Sequence, residues 1–170
     1  MAERTRTLAP VLPRLVTAAE QQLDRAARLL DAARAAPPGS EFAIHGTRYL
    51  RTSAPGRGLD PPARLFARRA DEPGKRFDVQ AAEDEAFWTW AVVEVLRRSG
   101  VRIEELLELT HLSLRQYKAP TGEMIPLLQV SPSKTDTERV IPVDPELVAV
   151  LARIIRRARN SGGKVPLVSR

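Results

Sequence analysis

The sequence predicts a mainly α fold that carries a small antiparallel β-sheet, an α+β arrangement. Three observations predict it. Apolar residues recur at three- and four-residue steps in several long stretches. Glycine or proline closes those stretches. Two extended segments, near residues 124–130 and 139–143, flank a polar loop and read as a hairpin.

Residues 12–35 form the first predicted helix, with Leu12, Leu15, Val16, Ala19, Leu23, Ala26, Leu30 and Ala33 on one stripe. Pro37-Pro38-Gly39 ends it. Phe42 to Arg51 reads as a short hairpin turning at His45-Gly46. Residues 52–80 are rich in Pro, Gly, Arg and Asp and read as a loop or linker. A second helix begins near Glu83, acidic at its start and basic at Arg97-Arg98, as the helix dipole favours. Phe87, Trp88, Trp90, Ala91, Val92, Val93, Val95 and Leu96 cover most of its circumference, which predicts a central, buried helix. Gly100 supplies the left-handed residue that closes it.

A third helix follows from about Arg102, with Ile103, Leu106, Leu107 and Thr110 on the face expected to pack. His111 reads as its C-terminal cap. Met124 to Val130 is a strand candidate, and Pro126 predicts an edge or irregular one. Arg139 to Val143 is the return strand. Asp144 caps the last helix, with Pro145 at its first position and Val148, Leu151, Ile154 and Ile155 facing inward. The chain then divides into a helix over 1–36, an irregular segment over 37–81 with a possible hairpin, and an ordered part over 82–170.

Composition narrows the chemistry. The 170 residues contain no cysteine and two histidines, His45 and His111, so disulfides, thiolate ligands and a zinc site are not expected. No metal or other cofactor is expected. No run of about 18 apolar residues exists, so no membrane partner is expected. The net charge of +6 favours a polyanionic partner, nucleic acid first. Residues 1–81 hold most of the excess, with 14 Lys/Arg against 9 Asp/Glu. Only four residues of the whole chain are lysine, so an arginine-rich coding bias explains the excess about as well.

Individual residues carry the finer signal. Arg102 follows a helix-ending glycine, where a guanidinium can offer two parallel donors to phosphate oxygens. Glu105, three residues on, is placed to hold it. By spacing alone an ordinary surface Arg–Glu pair, worth about 0.2–0.5 kcal/mol, is the commoner reading. Lys134 lies in the loop between the two extended segments, where a lysine can reach a DNA groove or protonate a leaving oxygen, although most turn lysines are merely solvated. Arg139, Arg97 and Arg98 are candidate DNA contacts that equally suit a sheet edge and a dipole-compensating last turn. Tyr49 and Tyr117 read as packing residues.

Two segments together say more than their spacing. Gly100-Val-Arg-Ile-Glu-Glu-Leu-Leu-Glu-Leu109 resembles the first box of the tyrosine recombinases, the phage-integrase family, whose pattern is T/S-G-x-R-x-x-E-L-L-x-L. Ser133-Lys-Thr through Arg139-Val-Ile-Pro142 resembles that family's hairpin, S-K-T-x-x-x-R-x-x-P. The resemblance covers roughly residues 82–160 and implies a partial tyrosine-recombinase catalytic domain. It implies DNA cleavage and rejoining through a 3′-phosphotyrosyl link, without metal or nucleotide. Arg102 would bind the scissile phosphate, Lys134 would assist the leaving 5′-oxygen, and Glu105 would support the site. The partners implied are double-stranded DNA and other recombinase protomers, and the place a bacterial cytoplasm, on DNA.

The departures are specific. The 28 residues after Pro142 contain no His, Trp or Tyr, so no nucleophile is assigned and Lys164 to Arg170 reads as a chain cut mid-element. Residues 1–81 offer one helix where the family has several. The expectation is the front part of a site-specific integrase, inactive alone. The alternatives are a non-catalytic DNA-binding or regulatory remnant of a mobile element, and a helical interaction module pairing through residues 12–35.

Overall fold

The computed structural model describes residues 11–52, 64–72, 74–131 and 138–159. They form two compact units, divided between Trp90 and Ala91. Both mix helix and antiparallel sheet, so the chain is α+β, with two small sheets rather than one. Among the described residues no helix is long and apolar enough to cross a membrane.

The amino-terminal unit begins with α1, Leu12–Ala35. Its expected stripe is only half used. Ala19, Leu23, Leu30 and Ala33 are buried, while Leu12 and Leu15 are about half exposed, at 48% and 49%. A four-stranded sheet follows in the order β1 (Glu41–Ile44), β2 (Thr47–Thr52), β3 (Phe66–Arg69), β4 (Arg76–Asp78). The β1–β2 turn is His45-Gly46, with φ of 50° and 76°. Two positive φ values in a two-residue loop match the twist of the strands, and glycine makes the second inexpensive. The segment read as linker thus contributes β3 and β4. Both are short and rich in arginine, and β3 joins the sheet by pairing with β2 across an intervening segment, which is why local composition hid them.

Alternation sorts this sheet into two faces. Ala67, fully buried, packs with Leu30, Ala33, Leu65 and Val79, and Phe42 and Phe77 lie against that core. Tyr49 stacks on Phe42 at 5.5 Å between ring centroids. Arg51 donates from Nη1 to the carbonyls of Arg34 (3.3 Å) and Ala36. It thereby satisfies helix-end acceptors of α1 that would otherwise need water.

Helix α2, Val79–Ser99, runs through both units. It starts four residues earlier than its apolar pattern suggested, because Asp78 Oδ1 accepts from the amides of Gln80 and Ala81, each at 3.0 Å. The Val79 amide donates to Leu65 at 2.8 Å. The helix is not buried all round: Ala86, Phe87, Trp90, Ala91 and Val95 are buried, but Trp88 is 39% exposed.

In the carboxyl-terminal unit, α3 (Ile103–Glu108) is followed by a 3₁₀ turn, His111–Ser113. His111 therefore opens that turn instead of capping α3. The turn is closed by Thr110 Oγ1, accepting from Leu112, and by Ser113 Oγ, accepting from Thr110. The second sheet has the order β5 (Leu114–Lys118), β6 (Met124–Val130), β7 (Arg139–Pro142). Strand β6 is central, not an edge. Pro126 is tolerated because backbone N–H and C=O of one residue point the same way, here toward β7. Its carbonyl accepts from Val143 at 3.1 Å, just past the end of β7, so the missing donor costs no β5 pairing.

Helix α4, Pro145–Ala158, starts as expected at Asp144, whose Oδ1 accepts from Leu147 at 2.6 Å. Its buried residues are Leu147, Val150 and Leu151. They join Val95, Val101, Leu128, Val130 and Val143 as the apolar interior of this unit. Each such side chain contributes about 1.5–3 kcal/mol relative to exposure.

Replacing Asp78 with alanine removes the α2 cap and is expected to cost about 1 kcal/mol, whereas Asp78→Asn retains most of it. Urea denaturation of both variants checks this, and equal midpoints for Ala and Asn would show that the cap is not what starts the helix.

Candidate functional site

The corner between α2 and α3 is built from short local bonds. Ser99 Oγ donates to the Val95 carbonyl at 2.6 Å and accepts from the Val101 amide at 3.3 Å. Gly100 takes φ of 66°, and its amide closes on Leu96 at 3.0 Å. Only a residue without Cβ adopts that φ cheaply. Val101 is buried, at 6% exposure, and anchors the turn. Arg102 then sits extended at the head of α3, with its side chain toward solvent.

Glu105 is the inward residue of α3. It is 3% exposed, and its Oε2 accepts from the Arg102 backbone amide and from Arg139 Nη2, both at 2.7 Å. The box arginine, its acidic neighbour and the hairpin arginine therefore meet, with Glu105 holding the Arg102 backbone rather than its guanidinium. Ile103 and Leu107, expected to pack, are 45% and 78% exposed. A six-residue helix shows only one face inward, and here the carboxylate occupies it.

Arg97 and Arg98 lie one turn back, on α2. Both grip Glu94, which is 3% exposed: Arg97 Nε and Nη2 donate at 2.7 and 2.8 Å, and Arg98 Nε at 2.9 Å. Arg98 also lies 3.8 Å from Asp144 and 3.7 Å from Glu146, which ties the end of α2 to the start of α4. Burial pushes the Glu94 carboxyl up, but the hydrogen bonds and charges of Arg97 and Arg98 outweigh it, so the net shift is downward. These two arginines, candidate DNA contacts by sequence, serve an internal carboxylate. Sequence reasoning missed Glu94, although Glu94, Arg97 and Arg98 stand at i, i+3 and i+4.

Lys134, with Ser133 and Thr135, lies outside the described residues. The strands flanking it are placed: β6 ends at Val130, opposite Arg139 of β7. Across the same sheet Arg115 Nε donates to Gln129 Oε1 at 3.0 Å, and Gln129 Nε2 donates to Glu138. Comparison of the chain with models of protein families, with curated proteins and with solved structures finds no match.

Two measurements probe this corner. Glu105→Ala strips the acceptor from the Arg102 amide and leaves Arg139 without its carboxylate. It is expected to cost about 3 kcal/mol, the low end for breaking a buried pair because Arg139 keeps water on one side. Glu105→Gln should lose about half as much. Equal, small losses in chemical denaturation would show that the corner is not held by the carboxylate. For Glu94 the folded pKa is depressed, so its stabilisation is complete above the ordinary value of 4.5 and is lost as pH falls through the lower folded value. Melting temperature should therefore fall between about pH 5 and pH 3 less steeply in Glu94→Gln than in the wild type.

Proposed function

We propose that this chain is the DNA-binding part of a site-specific recombinase or integrase, acting in DNA integration and recombination by phosphodiester strand exchange. The observation that carries the reading is the meeting of two sequence motifs 34 residues apart, through the Arg139–Glu105 bond. The first-box arginine and the hairpin strand are then held by one carboxylate.

In this reading Arg102 grips two non-bridging oxygens of the scissile phosphate and offsets the charge that gathers there during transfer. Lys134 gives a proton to the departing 5′-oxygen. In such chemistry a tyrosine oxygen attacks phosphorus; no residue of this chain is assigned that role, so the chain by itself is expected to bind DNA without cleaving it. Glu105 acts through Arg102 and Arg139 by fixing their strands and turns.

The reading requires duplex binding that weakens with salt. Fluorescence anisotropy of the full chain with a labelled duplex is expected to show it, and absence of binding at low salt would sink the proposal. In a protein completed with a tyrosine-bearing downstream segment, Arg102→Ala should abolish strand cleavage while changing duplex affinity by less than about threefold. Unchanged cleavage would make the motif match accidental.

A further inference from the structure

We propose that the outer edge of β5 is an interaction surface that takes the β5 strand of a second copy of this chain, antiparallel and centred on Gln116. The inference concerns association of the chain with itself and does not rest on the recombinase reading.

Strand β5 is one edge of its sheet, and among the described residues no strand pairs with its outer side. Both faces of the strand are open as well. Arg115, Gln116, Tyr117 and Lys118 are all exposed, although their side chains alternate between the two faces. Backbone groups alternate likewise, each residue turning its N–H and C=O to the same side. The Ala119 amide donates to the Glu123 carbonyl across the β5–β6 turn at 2.8 Å. Tyr117 and Arg115, in step with Ala119, therefore face β6, and Leu114, Gln116 and Lys118 turn their donors and acceptors outward. Such a row is a template for another strand. The opposite edge, β7, offers less. The Val143 amide reaches Pro126, so Ile141 and Arg139 face β6 and the outward residues are Val140 and Pro142. Proline has no N–H to give.

The side chains of β5 select the occupant and the register. A second copy laid parallel and in register would set Arg115 beside Arg115 and Lys118 beside Lys118, and like charges there repel. Antiparallel pairing uses the outward groups of both strands only where Leu114, Gln116 and Lys118 meet one another. Centring the pair on Arg115 sets two guanidiniums face to face, and centring it on Tyr117 leaves Leu114 without a partner. Centring it on Gln116 overlaps the whole strand. Gln116 then meets its own copy, Leu114 meets Lys118, and Arg115 meets Tyr117. Each cation faces an uncharged side chain. Lysine and arginine on an edge ordinarily keep strands apart; here they exclude the offset registers and leave one.

The outer face gains most from this pairing. Arg115 Nε donates to Gln129 Oε1 at 3.0 Å, which holds the guanidinium on that face. The copy's Tyr117, 51% exposed in the single chain, arrives beside it as a cation–π partner. Ile125 and Tyr117 of one copy align with Arg115 and Leu127 of the other, so the apolar rows of the two sheets become continuous. The contact is isologous, as a two-fold dimer requires. A strand of five residues is small against the about 800 Å² per partner of a standard interface, so the dimer is weak and reversible.

The chain has no cysteine, so a single introduced one reports on this edge. In the proposed pair the two Gln116 Cα atoms lie about 5.5 Å apart, within the roughly 4.4–6.8 Å that a disulfide spans. The two Lys118 Cα atoms are offset by about 13 Å along the strand, beyond that reach. Under mild oxidation Gln116→Cys is expected to form a disulfide dimer at least about tenfold faster than Lys118→Cys, as followed on non-reducing gels. A mixture of Arg115→Cys and Tyr117→Cys should yield the mixed dimer in preference to either homodimer. Equal rates for the Gln116 and Lys118 variants overturn the proposal. Sedimentation equilibrium of the unsubstituted chain should show a mass that rises with concentration. Gln116→Pro removes an outward donor and should abolish that rise while the circular dichroism stays unchanged. A chain that stays monomeric at every concentration, as it would if the edge served a different partner, also overturns the proposal. If Gln116→Pro disturbs the fold, the crosslinking rates decide by themselves. None of these readouts involves DNA, so their failure leaves the recombinase reading standing.

Discussion

The geometry of the carboxyl-terminal unit depends on one oxygen, Glu105 Oε2. A carboxylate 3% exposed is costly unless charge and hydrogen bonds compensate it. The compensation arrives from two directions, the backbone amide that opens α3 and the guanidinium that opens β7. Satisfying the charge therefore fixes the entry of α3, the position of Arg102 and the start of β7 together. The left-handed Gly100 and the Ser99 hydroxyl serve the same corner, by turning the chain within the few residues available.

The second constraint is how the arginines are shared out. A net charge of +6 counts side chains without saying which of them face solvent. Arg97 and Arg98 neutralise Glu94, Arg139 neutralises Glu105, Arg51 closes α1, and Arg69 holds Asp71. Glu94 sits in the last turns of α2, where the helix dipole disfavours an anion, so its two arginines also offset that cost. Among the described residues, these five arginines have partners within the chain itself.

Legibility from sequence follows how local each cause is. Helices α1 and α4 and the His45-Gly46 hairpin were readable as elements because breaker, cap and turn are local, but their buried faces were not: of the inward residues expected in α4 only Leu151 is buried, beside Leu147 and Val150. Strands β3, β4 and β5 were not. Phe66-Ala-Arg-Arg and Arg76-Phe-Asp alternate over too few residues to stand out, and their pairing with β2 and with each other is a tertiary fact. The face of α3 was misjudged for a related reason. Ile103, Leu106 and Leu107 have helical spacing, but the turn at Gly100 and the demand of Arg139 rotate Glu105 inward. Arg102 and Glu105 were visible as a pair, while the partner that gives the pair its geometry lies 34 residues downstream.

A buried glutamate is not the most stabilising choice for position 105. An apolar residue of similar volume would avoid the desolvation cost, and such replacements of buried ion pairs are often neutral or favourable when both partners change. That alternative would leave the Arg102 amide without its acceptor and would uncouple β7 from α3. The carboxylate contributes position more than stability. It makes the placement of Arg102 and the start of β7 one event, so a change at either end is felt at the other. That coupling of α3 to β7 through one oxygen is what supports the reading proposed above for this corner over the better-packed faces of α2 and α4.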